Sequence, residues 1–149
     1  MAGRGFKICG EKVKEYKGKK WDKTNNDLDF VVERDGVTYG SEVKNTWSYI
    51  NRDEMIVKLD MCKYFGVRPL FIMRGSPKSY NWEIKRWGGY AMIFVAQIYP
   101  LSQGMVVKEI KEKLGLEADC PRAIPSGIID RFINWEKDNL GDIKKNPQY

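Results

Sequence analysis

With 149 residues, 42% apolar and 31% charged, the chain has the size and composition of one soluble domain (1–149) able to bury a core of its own. It contains no histidine, which excludes Ser-His-Asp and Cys-His catalysis and every histidine-ligated metal site; acid–base work falls to carboxylates, Lys, Tyr or metal-bound water. The net charge of +6 is concentrated early, where Arg4, Lys7, Lys12, Lys14, Lys17, Lys19, Lys20 and Lys23 stand against Glu11, Glu15 and Asp22, a balance suited to a polyanionic partner.

No leader pattern opens the sequence, and its longest apolar run, 91–98, is broken by Gln97 and is only strand length. The expectation is an intracellular protein, cytoplasmic or nucleoid-associated, with no membrane contact and no organic cofactor. Cys9, Cys62 and Cys120 are odd in number, far apart and without zinc spacing, so they are expected as reduced, buried thiols.

In chain order, residues 6–20 are predicted as a weakly apolar helix, with Cys9, Val13 and Tyr16 near one face and Glu11 and Glu15, at i and i+4, on another. Residues 21–26 are a loop. Leu28, Phe30 and Val32 then alternate with Asp29, Val31 and Glu33, the period of a half-buried strand. Asp35-Gly36 is a two-residue hairpin signal, because a type I′ turn needs positive φ at both central positions. Residues 38–44 return as the second strand.

That turn fixes a register. Arg34 pairs with Val37, Val32 with Tyr39, Asp29 with Glu42 and Asp27 with Lys44. Leu28, Phe30, Val32, Tyr39 and Val43 then share the core face, and Asp27, Asp29, Glu42 and Lys44 share the other. Directly opposed residues have Cβ atoms roughly 4.5–5.5 Å apart, and two carboxylates that close repel unless a proton or cation lies between them. Hard oxygens at such spacing suit Mg²⁺ or Mn²⁺, which takes one or two carboxylates and keeps several waters.

Residues 45–50 are a crossover, with Trp47 and Tyr49 expected to cap the core. Asn51 caps a helix, with Glu54 completing a capping box and Gly66 ending the helix; Met55, Ile56, Leu59 and Cys62 form its apolar stripe and Lys58 is expected to be exposed. Residues 69–73 read as a buried central strand, so strand, helix and strand imply a right-handed crossover. Arg74 follows at the strand end, placed for a phosphate contact. Residues 80–87 read as a short helix in which aromatic and basic side chains interleave, with Trp82 and Trp87 read either as DNA contacts or as core. Residues 90–99 are a second buried strand. A helix over 104–114 turns Val106, Val107, Ile110 and Leu114 inward, and 116–125 is loop. Ser126 opens a last helix to about Leu140 with Ile128, Ile129, Phe132 and Ile133 buried; Gly141 closes it, and 142–149 is read as a mobile tail.

Asp29, twelve residues, then Glu42-Val43-Lys44 resembles the signature of the PD-(D/E)xK nuclease superfamily, which includes restriction endonucleases and Holliday-junction resolvases. The resemblance spans about residues 25–73 and includes the hairpin and the helix and strand after it. Leu28 stands where the signature has Pro, which leaves Asp27 and Asp29 as alternatives for the first acid; Asp29 is favoured because it faces Glu42. The resemblance implies an α/β fold, a mixed central sheet with a catalytic hairpin flanked by helices. It implies an endonuclease that hydrolyses phosphodiester bonds in DNA with Mg²⁺ or Mn²⁺. Asp29, Glu42 and the main-chain carbonyl of Val43 would hold the ion, and Lys44 would act on the attacking water or the phosphorane. A Glu from an upstream helix completes the site in many relatives, so Glu11 and Glu15 are candidates here. Lys19, Lys20, Lys58 and Arg74 are candidate nucleic-acid contacts. Many relatives dimerise to cut both strands, so a homodimer is one expected arrangement. The alternatives are a non-catalytic nucleic-acid-binding module of the same fold, a nuclease subunit needing a partner, and an ordinary α/β partner-binding domain with an acidic hairpin.

Overall fold

The computed structural model describes residues 4–145, and it opens in strands where a helix was expected. Strand β1 (Lys7–Val13) is followed by a small hairpin of β2 (Glu15–Tyr16) and β3 (Lys19–Lys20). Lys17 and Gly18 form its turn at φ 50° and 76°, so Lys-Gly was a hairpin signal of the same kind as Asp35-Gly36. β1 is mostly exposed, with Val13 alone of its residues buried, and its identity comes from its partner: it pairs antiparallel with β4 (Leu28–Arg34), which satisfies its backbone.

The central hairpin forms in the expected register near its turn, but the expected Asp29–Glu42 and Asp27–Lys44 pairs are not part of the ladder. Asp35 and Gly36 take φ 51° and 78°, and β4 pairs with β5 (Val37–Lys44) through Arg34–Val37, Val32–Tyr39 and Phe30–Ser41. The paired residues stop at Phe30–Ser41, so Asp29 leaves the ladder and its side chain takes over: Asp29 Oδ2 accepts the Val43 N–H at 2.7 Å. With the alternation broken there, Leu28 packs beside Val31, not with Phe30 and Val32 as expected.

Helix α1 (Arg52–Phe65) crosses from β5 to β6 (Arg68–Met73), which runs parallel to β5. The Asn51 side chain accepts from the Asp53 N–H at 2.8 Å, and Gly66 closes the helix at φ 70°. Helix α2 (Lys78–Arg86) leads to β7 (Tyr90–Ile93), parallel to β6. The main sheet is therefore mixed, in the order β1-β4-β5-β6-β7, with helices on both sides: an α/β fold.

The expected strand over 90–99 breaks in two. Val95 adopts φ 71° and its N–H bonds Arg74 O at 2.7 Å, which turns the chain out of the sheet. β8 (Gln97–Ile98) then pairs with β9 (Ala118–Asp119), so 116–125 is not all loop. Between them lies α3 (Gly104–Glu109), continuing as a π-helical turn over Ile110–Leu114. Only Val107 of its expected inward face is buried; Val106 and Leu114 are exposed, because α3 packs on β9 and not on the main sheet. The last helix, α4 (Ser126–Lys145), runs past Gly141, so 142–145 are helical; the remainder of the expected tail, 146–149, lies outside the described residues.

Both sheet faces carry core. On one, Val31, Leu28 and Trp21 pack under α1 with Met61, Cys62 and Phe65. On the other, Val32, Val37, Tyr39 and Leu70 pack with Phe132 of α4. The expected stripe of α4 is realised: Ile129 and Phe132 are buried, and Ile128 and Ile133 pack against the same cluster. α4 is also fastened by charge. Glu136, buried on the stripe, accepts the Tyr39 hydroxyl at 2.7 Å and pairs with Arg34. Of the three cysteines, all free, only Cys62 is buried; Cys9 is exposed and Cys120 half-buried, which corrects the expectation of three buried thiols.

Candidate functional site

The acidic face of the hairpin lies under a helix, not against solvent. Gly40 and Val31 sit on that face with α1 directly above, and a Cβ at Gly40 would lie 2.8 Å from Cys62 Sγ. Glu42, two residues along β5, projects the same way and is 5% exposed. Its partner comes from α1. Lys58 Nζ stands 2.6 Å from Glu42 Oε2, also contacts the main-chain oxygen of Asp27, and lies 4.0 Å from Asp27 Oδ1. Lys58 is 4% exposed, which corrects its reading as a surface lysine. The helical stripe explains it, since Met55, Leu59 and Cys62 bring position 58 onto the inward face.

Burial dominates the chemistry of Glu42. Desolvation raises its pKa from 4.5 to about 7, opposed by Lys58 and reinforced by the negative charges of Asp29 and Glu54. Asp29 thus bears electrostatically on Glu42, whereas Asp27 is turned to Lys58. One Asp29 oxygen is engaged by the Val43 N–H.

Lys44, at the end of β5, pairs with Glu54 at 3.6 Å, and both are about one-third exposed, with side chains at 28% and 30%. Glu54 therefore reaches across to the hairpin, not back to Asn51 as the capping box required. Sequence spacing did not place Glu54 in the site, although a Glu in the first turn after the crossover stands close to the end of β5. Val43, expected in the core, is exposed on the opposite face, because it borders an apolar hollow of about 340 Å³ lined by Phe30, Val32, Leu70 and Ile72.

The other candidates lie elsewhere. Glu11 is on β1 opposite Phe30, and Glu15 pairs with Lys20 in the small hairpin; both are exposed, and without a helix they share no face. Lys19 donates to Tyr64 O at 3.1 Å and lies over the Tyr64 ring, while Lys20 is exposed on β3. Arg74 is committed to the backbone: it donates to Thr46 O at 3.0 Å and Trp47 O at 2.7 Å and stacks on the Trp47 ring. It holds the crossover after Lys44 in place. Tyr49, expected to cap the core, is 55% exposed.

No group of three acidic or cysteine side chains converges as a cation cage among the described residues. The donors present still fit a hard divalent ion of the open kind. Asp29 adds to the cost of the Glu42 anion, Lys58 offsets only part of that cost, and a divalent ion completing its shell with water or phosphate oxygens would offset the rest. No helix among the described residues is long and apolar enough to cross a membrane. No family model matches the chain, and no curated protein or solved structure does either.

Proposed function

We propose that the chain is a metal-dependent deoxyribonuclease that hydrolyses phosphodiester bonds in DNA, with Asp29, Glu42 and Lys44 as its working residues and a restriction endonuclease-like core. The observation that carries this reading is Glu42: a carboxylate 5% exposed, destabilised as an anion, on the same hairpin end as Asp29 and two residues from Lys44. Lys58 brings one positive charge to this pair of acids, and a second cation would relieve the repulsion that remains.

Asp29, Glu42 and the Val43 carbonyl would hold Mg²⁺ or Mn²⁺. Such an ion, when bound, neutralises charge on the scissile phosphate and lowers the pKa of a coordinated water. The protein's own groups do the rest. Lys58 lowers the cost of the ionised Glu42 and fixes its carboxylate against α1. Val43 N–H fixes the Asp29 carboxylate. Lys44, held by Glu54 near the mouth of the site, supplies a positive charge and a proton donor to the attacked phosphate or to the entering water. The basic β1–β3 segment offers electrostatic attraction to the polyanion.

The test is cleavage of supercoiled plasmid and a branched DNA by the intact chain with Mg²⁺, Mn²⁺ or EDTA, beside Lys44→Ala and Glu42→Gln. Metal-dependent cutting lost in both variants is the expected result. Metal-independent cutting, or cutting retained by both variants, refutes the assignment. One observation favours a second reading: Lys58 already neutralises Glu42, so the pair persists without metal, as a non-catalytic DNA-binding module would require. Salt-sensitive DNA binding with no cutting in either metal would select it.

A further inference from the structure

The inner face of α2 is accounted for by the core. Ile84 is fully buried, and Tyr80 and Trp87 pack with it against Ile50, Met55, Leu59 and Phe71. Helical spacing then gathers Lys78, Asn81, Trp82 and Lys85, at i, i+3, i+4 and i+7, on the outer face. This is the spacing of a buried stripe, yet its large residue, Trp82, is 65% exposed. Lys85 Nζ lies 5.7 Å from the Trp82 ring centroid. The four residues line an open hollow of about 280 Å³. Asn81 Oδ1, at the same place, is shielded from solvent and accepts no hydrogen bond.

The charge around the ring has one sign. Glu83, the acid of α2, is turned to Arg52 at 3.4 Å, and no ion pair engages Lys78, Lys85 or Arg86 among the described residues. A partner for this face needs a flat π surface and negative charge beside it. The surface is also well placed. β6 runs parallel to β5, so α2 sets out from the sheet end that carries Lys44 and Glu42.

We propose that this face of α2 is a stacking platform for an unpaired nucleobase, with Trp82 against the base and Lys78 and Lys85 on the flanking phosphates. The assignment rests on the nucleic-acid reading of the hairpin site, and it extends that reading to a substrate class: DNA with a single-stranded or unstacked segment near the cut. Stacking of this kind tolerates any sequence, because every base has a π face.

The test is binding of a fluorescein-labelled oligo-dT and of a duplex of equal length to the intact chain in EDTA, read by anisotropy, for wild type, Trp82→Ala, Trp82→Phe and Lys78→Ala/Lys85→Ala. Trp82→Ala should weaken oligo-dT binding roughly 5- to 150-fold, the loss of one stacked base, while leaving duplex binding and the melting temperature nearly unchanged. Trp82→Phe should restore most of the affinity. The double lysine variant should flatten the salt dependence by about 1.4 in log–log slope, the release of about two phosphate contacts on a single strand. The platform is refuted if Trp82→Ala binds oligo-dT as wild type does, if it loses single strand and duplex alike, or if wild type binds no single strand. Plasmid cleavage by the Lys44 variant is a separate readout. Cutting that depends on Lys44, with oligo-dT binding indifferent to Trp82, removes the platform and leaves the nuclease; Trp82-dependent binding without cutting does the reverse.

Discussion

Replacing Glu42 by Gln keeps the shape of the protonated acid and removes its titration. In the folded chain the Glu42 pKa stands at about 7 against an ordinary value of 4.5, because burial outweighs the help of Lys58. A raised carboxylate pKa means that the folded state holds the proton more tightly than the unfolded state. The stabilising contribution is therefore complete below pH 4.5, falls as pH rises toward 7, and is gone above that. At about 1.4 kcal/mol for each pH unit, the loss is ~3 kcal/mol. Glu42→Gln does not suffer it. Its melting temperature should differ little from wild type near pH 4.5 and exceed it by roughly 6–12 °C at pH 8, taking about 2–4 °C per kcal/mol for a domain of this size. Added Mg²⁺ at pH 8 should narrow the gap by raising wild type alone, since a bound cation stabilises the ionised form. The assay is a melting series from pH 4.5 to 8.5 in EDTA and in Mg²⁺. A difference between the two proteins that stays constant with pH would refute the reasoning.

Lys58→Met should destabilise the chain at pH 8 by a further ~1–2 kcal/mol, because Glu42 takes up a proton before it stands as an unpaired buried charge, and most of that should be recovered in Lys58→Met/Glu42→Gln; a denaturant-melt double-mutant cycle showing plain additivity would count against the pair. Glu136→Ala should cost a similar ~3 kcal/mol, because it strands Arg34 and the buried Tyr39 hydroxyl together, and an unchanged unfolding midpoint would contradict the fastening of α4. Gly40→Ala places a methyl within 2.9 Å of Cys62 Sγ, Leu28 Cδ1 and Val67 Cγ2, so about 1–3 kcal/mol of overpacking is expected in urea unfolding, whereas Gly127→Ala, which meets nothing within 4 Å, should not destabilise.

Where residues decide their own structure, the sequence was readable. Asp35-Gly36 with alternating neighbours determined a hairpin and its register, and the stripes of α1 and α4 were visible as spacing. Where a partner decides, it was not. β1 has no apolar face to announce a strand; it is a strand because β4 offers it a ladder, and Lys17-Gly18 was the only local mark of the small β2–β3 hairpin beyond it. The site shows the same division. That Asp29, Glu42 and Lys44 lie at one end of the hairpin was legible from its turn, but the contacts of Lys58 and Glu54 depend on how α1 lies across it.

Lys58 and Glu136 nevertheless share a sequence signal: each is a charged residue standing at a stripe position of an amphipathic helix. Such a residue must meet an opposite charge on the surface its helix covers, and here the two meet Glu42 and Arg34 of the same hairpin, one on each face of the sheet. The two pairs are not equivalent. Glu136 is closed, its oxygens taken by Arg34 and the Tyr39 hydroxyl. Among the described residues, the charges around Lys58 set Asp27, Asp29, Glu42 and Glu54 against Lys44 and Lys58, so with Glu42 ionised the balance is two negative charges in excess. On the α4 side Arg34 meets Glu136 and Asp35, an excess of one negative charge, and Asp35 is open to solvent. The α1 side carries the larger excess, and it lies where burial makes negative charge costly, which is the physical argument for the cation proposed at Asp29 and Glu42.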